Sequence, residues 1–588
     1  MTLIDAALGK LPVDLLITNV QVANVFTGEV YPADIAIYQG RIAAVEKSAT
    51  LPPRQAVDVL DGGGRIAVPG LIDAHLHIES TLVTPAHFAE AVLPLGITTV
   101  LEDPHEVANV LGIDGIRAMM AASQDIPLKV EYLISSSVPS AAGLERTGGV
   151  IGPDEVTALI GDPHVLGLAE VMDGAGILAG DERLRAILRA GGGGDGMRVD
   201  SPGVIEGHNP MLRGRELAAF VAGGVDSDHT LSTPEDLVEK ARQGVVLMLQ
   251  ERYLSRESIA ALEALPHDIG LCLVTDDVAP DYLLERGHLD QVLRRTIELG
   301  MDPMRALRSV TLNPARRMRL WDRGLIAPGR AADIVLVDDL ADFHAHTVLV
   351  DGKIVAQDGR CLWSAPARDG MYDLTGTVPL PQQTAADFTI RAPVDNGRVP
   401  IHLIDCVPGQ TLVRKSVVDI DIADGALQLA DDMAFICVVN RYADAGERAF
   451  GVIRGLGIRQ GAYATTYAHD GHNLCVVGRT PADMARAANA VIAADGGIAV
   501  VVDEAQTVIM PLPIAGILSE KPVHAAADQT RALGHALRTI GIDHPYWLMR
   551  ISTFTLPVSS GLRITDVGLV DAGAGGGVAV FVKLRLGD

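Results

Sequence analysis

The stretch VPGLIDAHLHIES, residues 68 to 80, decides how the rest of the chain is read. The apolar run from Ile66 to Ile72 predicts a buried strand that ends at Asp73, His75 and His77. Histidines two positions apart on a strand share a face, because strand side chains alternate. Both imidazoles can therefore reach one cation. Two capping or surface histidines fit the same pair, so the site requires further ligands from elsewhere in the chain.

At 588 residues the chain exceeds what one hydrophobic core supports, and two to four domains are expected. Its 48% hydrophobic and 21% charged content is that of an ordinary globular protein. A formal charge of −26 argues against nucleic acid or an anionic membrane as partner, since either selects a basic face. No run approaches the ~20 apolar residues of a membrane-spanning helix. The opening MTLIDAALGKLPVDLL has an early Asp and lacks the basic start of a signal peptide. The five cysteines (Cys272, Cys361, Cys406, Cys437, Cys475) are odd in number and scattered, mostly within apolar runs. They read as free thiols in a reducing compartment, which gives a cytoplasmic expectation.

Outward from the opening stretch, residues 67–325 alternate strand-like runs with helical ones, the pattern of parallel βα units. RIAVPGLID, GITTVLEDP, LKVEYLISSSVP, HVLGLAEVM, GVIEGH, GGVDSDH, GVVLMLQER and GLCLVTDD supply eight strand candidates. Eight strands in about 250 residues fit an α/β fold of the (β/α)8 TIM-barrel type. The GGGG run at 191–194 reads as a loop before the fifth strand. PDYLLERGHLDQVLRRTIELG reads as one helix after the eighth. β-rich residues 14–66 and 326–363 are expected to pair into a small β-sandwich built from both flanks. Residues 364–385, rich in Pro and Gly, read as a linker. Residues 386–588 form a C-terminal α+β domain, with one helix signalled by Thr480 as N-cap, Pro481 at its first position and a stop at Gly496-Gly497.

Polar residues recur where these barrel strands end: His75 and His77, Asp103 and His105, Glu170, His208, His229, Asp276. Barrel active sites are built on that rim. A binuclear hydrolytic site needs two cations roughly 3.5–4 Å apart and a bridging anion. Imidazole and carboxylate suit borderline divalent metals. His75 and His77 supply one ion, His208 and His229 the other, with Glu170 placed to bridge and Asp276 as a further ligand.

HLH after strand one, a carboxylate after strand four, His after strands five and six and Asp after strand eight resemble the amidohydrolase superfamily. Glu170 stands where many binuclear members carry a carboxylated lysine, which points to the branch that bridges with glutamate. More specifically the chain resembles the bacterial adenine deaminases of the long, two-domain type. The matching stretches include PGLIDAHLHIESTLVTP, GITTVLEDPHEVANVLGIDG, SSVPSAAGLE, GLAEVMD, GVDSDH, VTDDVAPDYLLERGHLD, TLNPARR, LVRKSV, AHDGHNLCVVG, LPLPIAGILS and ITDVGLVD. Three stretches depart from the family pattern. His208-Asn209-Pro210-Met211 stands for His-Ala-Pro-Gly, Thr230 for the Glu of Asp-His-Glu, and Leu249-Gln250-Glu251-Arg252-Tyr253 for Ile-Arg-Glu-Gly-Ser.

The resemblance implies an enzyme that converts adenine and water to hypoxanthine and ammonia, by attack of metal-activated hydroxide at purine C6. It implies two divalent cations, Mn or Fe before Zn, held by His75, His77, Glu170, His208, His229 and Asp276. Asp276 and His229 are the expected catalytic residues, with Asp276 moving the proton. Glu251 aligns with a family Glu and is a candidate for binding the small-molecule purine substrate; a strand-end carboxylate fits it as well. Asp103 and His105 fit outer-shell groups, an extra metal site or a helix start. His469, Asp470 and His472 fit a site or a turn. Another purine-like ring or a cyclic amide is the alternative substrate, and a non-catalytic paralogue the alternative class. A closed homo-oligomer is the default assembly.

Overall fold

The computed structural model describes residues 2–47, 55–192, 203–265, 269–366, 370–408, 412–442, 446–571 and 576–582. Eight parallel strands carry the rim residues: β1 Leu71–Leu76, β2 Ile97–Glu102, β3 Lys129–Ser135, β4 Val165–Val171, β5 Val204–Gly207, β6 Ser227–Asp228, β7 Val246–Leu249 and β8 Cys272–Leu273. Each pairs with its sequence neighbour in order. A parallel bridge between Leu76 and Asp276, with the Asp276 N–H donating to the His75 carbonyl at 3.2 Å, joins the last strand to the first. The result is a near-closed TIM-like barrel, as the alternating pattern predicts. Its interior is filled by residues from around the ring, among them Ile72, Ala74, Leu101, Leu133, Ala169, Val204, Met248 and Cys272.

The run from Ile66 to Ile72 is two strands, not one. Ile66–Pro69 pairs with Ile334–Val337 and with Val13–Asn24, whereas β1 starts at Leu71 and belongs to the barrel. Gly70 sits at the division. A Cβ there would lie 2.2 Å from the Thr98 hydroxyl oxygen, so only glycine lets the chain pass β2. Ile66–Pro69 is thus the centre of a nine-stranded sheet whose other strands come from both flanks of the barrel. Along β1 the facing also changes. Ile72 and Ala74 join the inner cluster, while Leu76 packs in the outer one. The register shifts between Asp73 and Leu76, and such an irregularity re-aims side chains. Here it turns His75 and His77 inward.

After β8, the stretch read as one helix is two, Pro280–Arg286 and Leu289–Glu298. Gly287, at φ 111°, breaks the helical path between them. The Gly191–Gly194 run lies partly outside the described residues, which stop at 192 and resume at 203. In the stretch from 364 to 385, Met371 and Tyr372 are buried, as are Val378 and Leu380. These four residues pack into the neighbouring apolar clusters.

Beyond it a second nine-stranded sheet runs in the order Ala426–Gln428, Val413–Ala423, Gly397–Cys406, Arg448–Arg454, Met433–Val439, Leu474–Gly478, Ala462–Thr465, Gly497–Val501, Thr507–Pro511. The helix Pro481–Ala493 starts with the Thr480 hydroxyl accepting from the Asp483 N–H, and buries Met484, Ala488 and Val491. The turn 466–473, between two strands of this sheet, reaches back to the barrel rim. Among the described residues no helix is long and apolar enough to cross a membrane.

Candidate metal centre

Glu170, at the end of β4, is the middle of the site. Its two oxygens face different partners. Oε1 lies 3.4 Å from His75 Nε2 and 3.0 Å from His77 Nε2. Oε2 lies 2.6 Å from His208 Nδ1 and 3.6 Å from His229 Nε2. Asp276 Oδ1 completes the first set, 3.6 Å from His75 Nε2 and 3.3 Å from His77 Nε2. All six residues are brought together, and all but His208, whose side chain is 34% exposed, are buried.

Do these residues fit a cation? Ligands about 2.0–2.2 Å from one ion stand roughly 3–3.5 Å apart, and the separations here run from 2.6 to 3.6 Å. His75 Nε2 has no hydrogen-bond partner among the described residues although it is fully buried. A buried nitrogen aimed at two carboxylates without a bond of its own is satisfied by a cation. His75, Glu170, His229 and Asp276 also bring four ligand atoms within 4.8 Å of one another. The residues of the cluster fit a metal ion.

Groups behind the ligands fix their rings. His75 Nδ1 lies 2.8 Å from Glu206 Oε2, and His77 Nδ1 lies 3.0 Å from the Asp103 carbonyl oxygen. Both rings therefore present Nε2 to the centre, and carboxylate or carbonyl support of this type holds a metal-ligating histidine in its tautomer. Glu206 is itself faced by Arg317, which donates to Asp226 and Ser227. The hydroxyls of Ser136 and Ser137 donate to the Glu170 carbonyl at 2.8 and 2.9 Å. The three departures from the family pattern sit here too. The Asn209 N–H donates to the Thr230 hydroxyl, the Thr230 hydroxyl donates to Asp228, and the Gln250 amide donates to the His229 carbonyl. The fully buried Lys240 ammonium donates to the carbonyls of Asn209 and Thr230, at 2.9 Å each. Asn209, Thr230 and Gln250 brace the loops that carry His208 and His229.

Charge is shared across the cluster. Burial alone would raise the Glu170 carboxyl, but His229 and His208 beside it hold it well below the carboxylate range. Burial likewise works against Asp276, yet Arg252, His75 and His77 hold it well below its ordinary value. Burial and the neighbouring His75 push His229 down. Asp276 adopts φ 63°, a left-handed conformation sparsely used outside glycine and tolerated by Asp.

Glu251 and Arg252 occupy a turn after β7, but only Arg252 meets the ligand set. Its guanidinium donates to Asp276 Oδ2 at 2.5 Å, leaving Oδ1 for the histidines. Glu251 instead accepts from the Tyr282 hydroxyl on Pro280–Arg286. Asp103 supports two rings, with Oδ2 3.1 Å from His105 Nδ1 and its carbonyl on His77. His105 opens the helix His105–Leu111, and its ring lies 4.5 Å from that of His77. His469, Asp470 and His472 are buried and face this helix. Glu206 and Arg252 are the participants that sequence reasoning passed over. Glu206 carried a usable signal, since it stands two residues before His208 and shares its strand face.

With that geometry in view, residues 66–186 and 220–355 match the Amidohydrolase family, and residues 410–575 the Adenine deaminase C-terminal domain. The chain is 39% identical over 579 residues to the adenine deaminase of Moorella thermoacetica, covering 97% of this chain and 96% of that one. It is 38% identical over 578 residues to adenine deaminase 2 of Shouchella clausii, covering 97% and 99%. Adenine deaminase 2 of Agrobacterium fabrum is 39% identical over 576 residues, covering 97% and 94%.

Proposed function

The chain belongs to the adenine deaminase family, and from that premise we propose that it hydrolyses adenine to hypoxanthine and ammonia at the Glu170 cluster. The observation that carries this reading is the carboxylate of Glu170, with one oxygen turned to His75 and His77 and the other to His208 and His229. That arrangement suits two divalent cations, with manganese or iron ahead of zinc. Bound there, they would lower the pKa of a water towards ~7 and so supply hydroxide at neutral pH.

The chain's own residues do the remainder. His75, His77 and Asp276 would hold one cation and His208 and His229 the other, with Glu170 between them. Asp276 accepts the proton of the attacking water and returns it to the purine ring nitrogen or the leaving amine, while C6 gains oxygen and loses ammonia. Arg252 keeps that carboxylate ionised and oriented through its second oxygen. His229, fully buried, faces the same centre. Asp103 and His105 act behind His77, and Glu251 reaches the purine edge if Tyr282 releases it.

A second reading, another purine-like ring or a cyclic amide, is favoured by Arg252-Tyr253 standing where the family pattern has Gly-Ser. Residues 67–325 form the catalytic unit, 14–66 with 326–363 its flanking sheet, and 386–588 a cover joined through 364–385. The acidic charge and the free thiols support a cytoplasmic enzyme with a small-molecule partner and no nucleic acid. The test is ammonia release from adenine, set beside substituted purines and cyclic amides, by metal-loaded protein. Adenine should be turned over with the highest kcat/KM. No ammonia from adenine together with release from another compound would transfer the site to that substrate.

A further inference from the structure

Where the C-terminal sheet touches the barrel rim, four side chains from two parts of the chain converge. His105 and Glu106 open the helix after β2, and His469 and Asp470 lie in the turn 466–473. We propose that these four residues form a further divalent-cation site, separate from the Glu170 centre, which fastens the C-terminal domain to the rim. Its ligand atoms would be His105 Nε2, Glu106 Oε1, His469 Nδ1 and Asp470 Oδ1.

The geometry is that of ligands around one ion. All four residues are buried, and each offers an atom within 4.8 Å of the other three. His105 Nε2 stands 3.5 Å from Glu106 Oε1 and 3.9 Å from Asp470 Oδ1. His469 Nδ1 stands 3.6 Å from Asp470 Oδ1 and 2.5 Å from Glu106 Oε1. Three of these four separations are too long for hydrogen bonds. They fall between the separations of adjacent and of opposite ligands held about 2.0–2.2 Å from a common cation.

A second observation points the same way. Glu106 Oε1 is fully buried and aimed at both imidazoles, yet its close contact with His469 Nδ1 lacks hydrogen-bond geometry. A buried carboxylate oxygen left without a hydrogen bond is costly, and a cation removes that cost. The supports are those of a metal site as well. His105 Nδ1 rests on Asp103 Oδ2 at 3.1 Å, which fixes its tautomer with Nε2 outward. Glu106 Oε2 is taken by His472 Nε2. Two nitrogens and two oxygens select a borderline first-row cation over calcium or magnesium, which prefer oxygen alone. A plain ion-pair cluster is the competing account.

The two accounts differ in the number of metals bound. The full-length protein is stripped with chelator and dialysed to equilibrium against Mn(II) and, separately, Zn(II), and bound metal is counted per chain. Wild type should hold one equivalent more than His469→Ala and one more than Asp470→Asn. Glu170→Gln should lose metal from the central cluster and keep the inter-domain equivalent. Added Mn(II) should raise the Tm of Glu170→Gln but not that of the double variant carrying Asp470→Asn. Asp470→Asn is nearly isosteric and serves if His469→Ala does not fold. Equal metal counts in wild type and Asp470→Asn, or a wild type that saturates at the content of His469→Ala, would overturn the proposal. None of these counts depends on which ring the central site hydrolyses.

Discussion

Glu170 and Asp276 bear opposite demands. Glu170 is pinned between imidazoles and by two serine hydroxyls on its carbonyl, which suits a fixed ligand. Asp276 keeps one oxygen toward the ligand set and one on Arg252, which suits a group that must hold and release a proton. Asp276→Asn should leave most of the metal bound and lower kcat by ~10²–10⁴-fold, the usual range for a lost acid–base group. Steady-state kinetics beside metal analysis checks this, and unchanged turnover would remove Asp276 from the chemistry. Glu206→Gln should act differently. It weakens the support behind His75 and should reduce metal affinity by ~10–100-fold. Competition with a chromophoric chelator measures that shift. At this scale the cluster was legible because six residues of metal-binding types recur at strand ends. Arg252 was not, because an arginine after an apolar strand is an ordinary surface residue until Asp276 is placed beside it.

Elements were legible in proportion to their length. β3 and β4, seven residues each, stand out as apolar runs. β6 and β8 are two residues each, too short for periodicity to show, and only their rim residues mark them. The division at Gly70 leaves no trace in hydropathy, because both pieces are apolar. Gly70→Ala should cost about 1–3 kcal/mol by overpacking against Thr98, read from the denaturant midpoint. Thr98→Ala in the same chain should recover part of the loss. The break before Leu289–Glu298 has its own consequence. His288 is buried beside Asp73, Thr275 and the Phe88 ring, and burial lowers its pKa from 6.5 to about 3. Between those values the unfolded chain binds a proton that the folded chain does not, so stability falls as the pH drops from 6.5 towards 3. His288 then accounts for a loss on the order of 2 kcal/mol at pH 5. His288→Asn should flatten that acid limb, measured as the difference in Tm between pH 7.5 and pH 5. An unchanged difference would clear His288 of the effect.

For the whole molecule, one buried apolar cluster runs from barrel residues such as Phe88 and Leu249 to Ile404, Tyr467 and Leu518 of the C-terminal part. The Ser519 N–H also donates to the Leu82 carbonyl at 2.8 Å. Contacts this continuous should make the chain unfold in one calorimetric transition, and two resolved transitions would show that the parts stand apart. Chain length led to an expectation of several domains but not of this shared core, since long-range packing carries no local signal. The central claim is that a cation-loaded Glu170 cluster deaminates adenine. The measurement that meets it most directly is hypoxanthine formation from adenine by chelator-treated protein as Mn(II) or Fe(II) is added back. Hypoxanthine formation should be abolished by the chelator and return in step with metal bound. Full turnover without metal, or no hypoxanthine from the fully loaded protein, would contradict it.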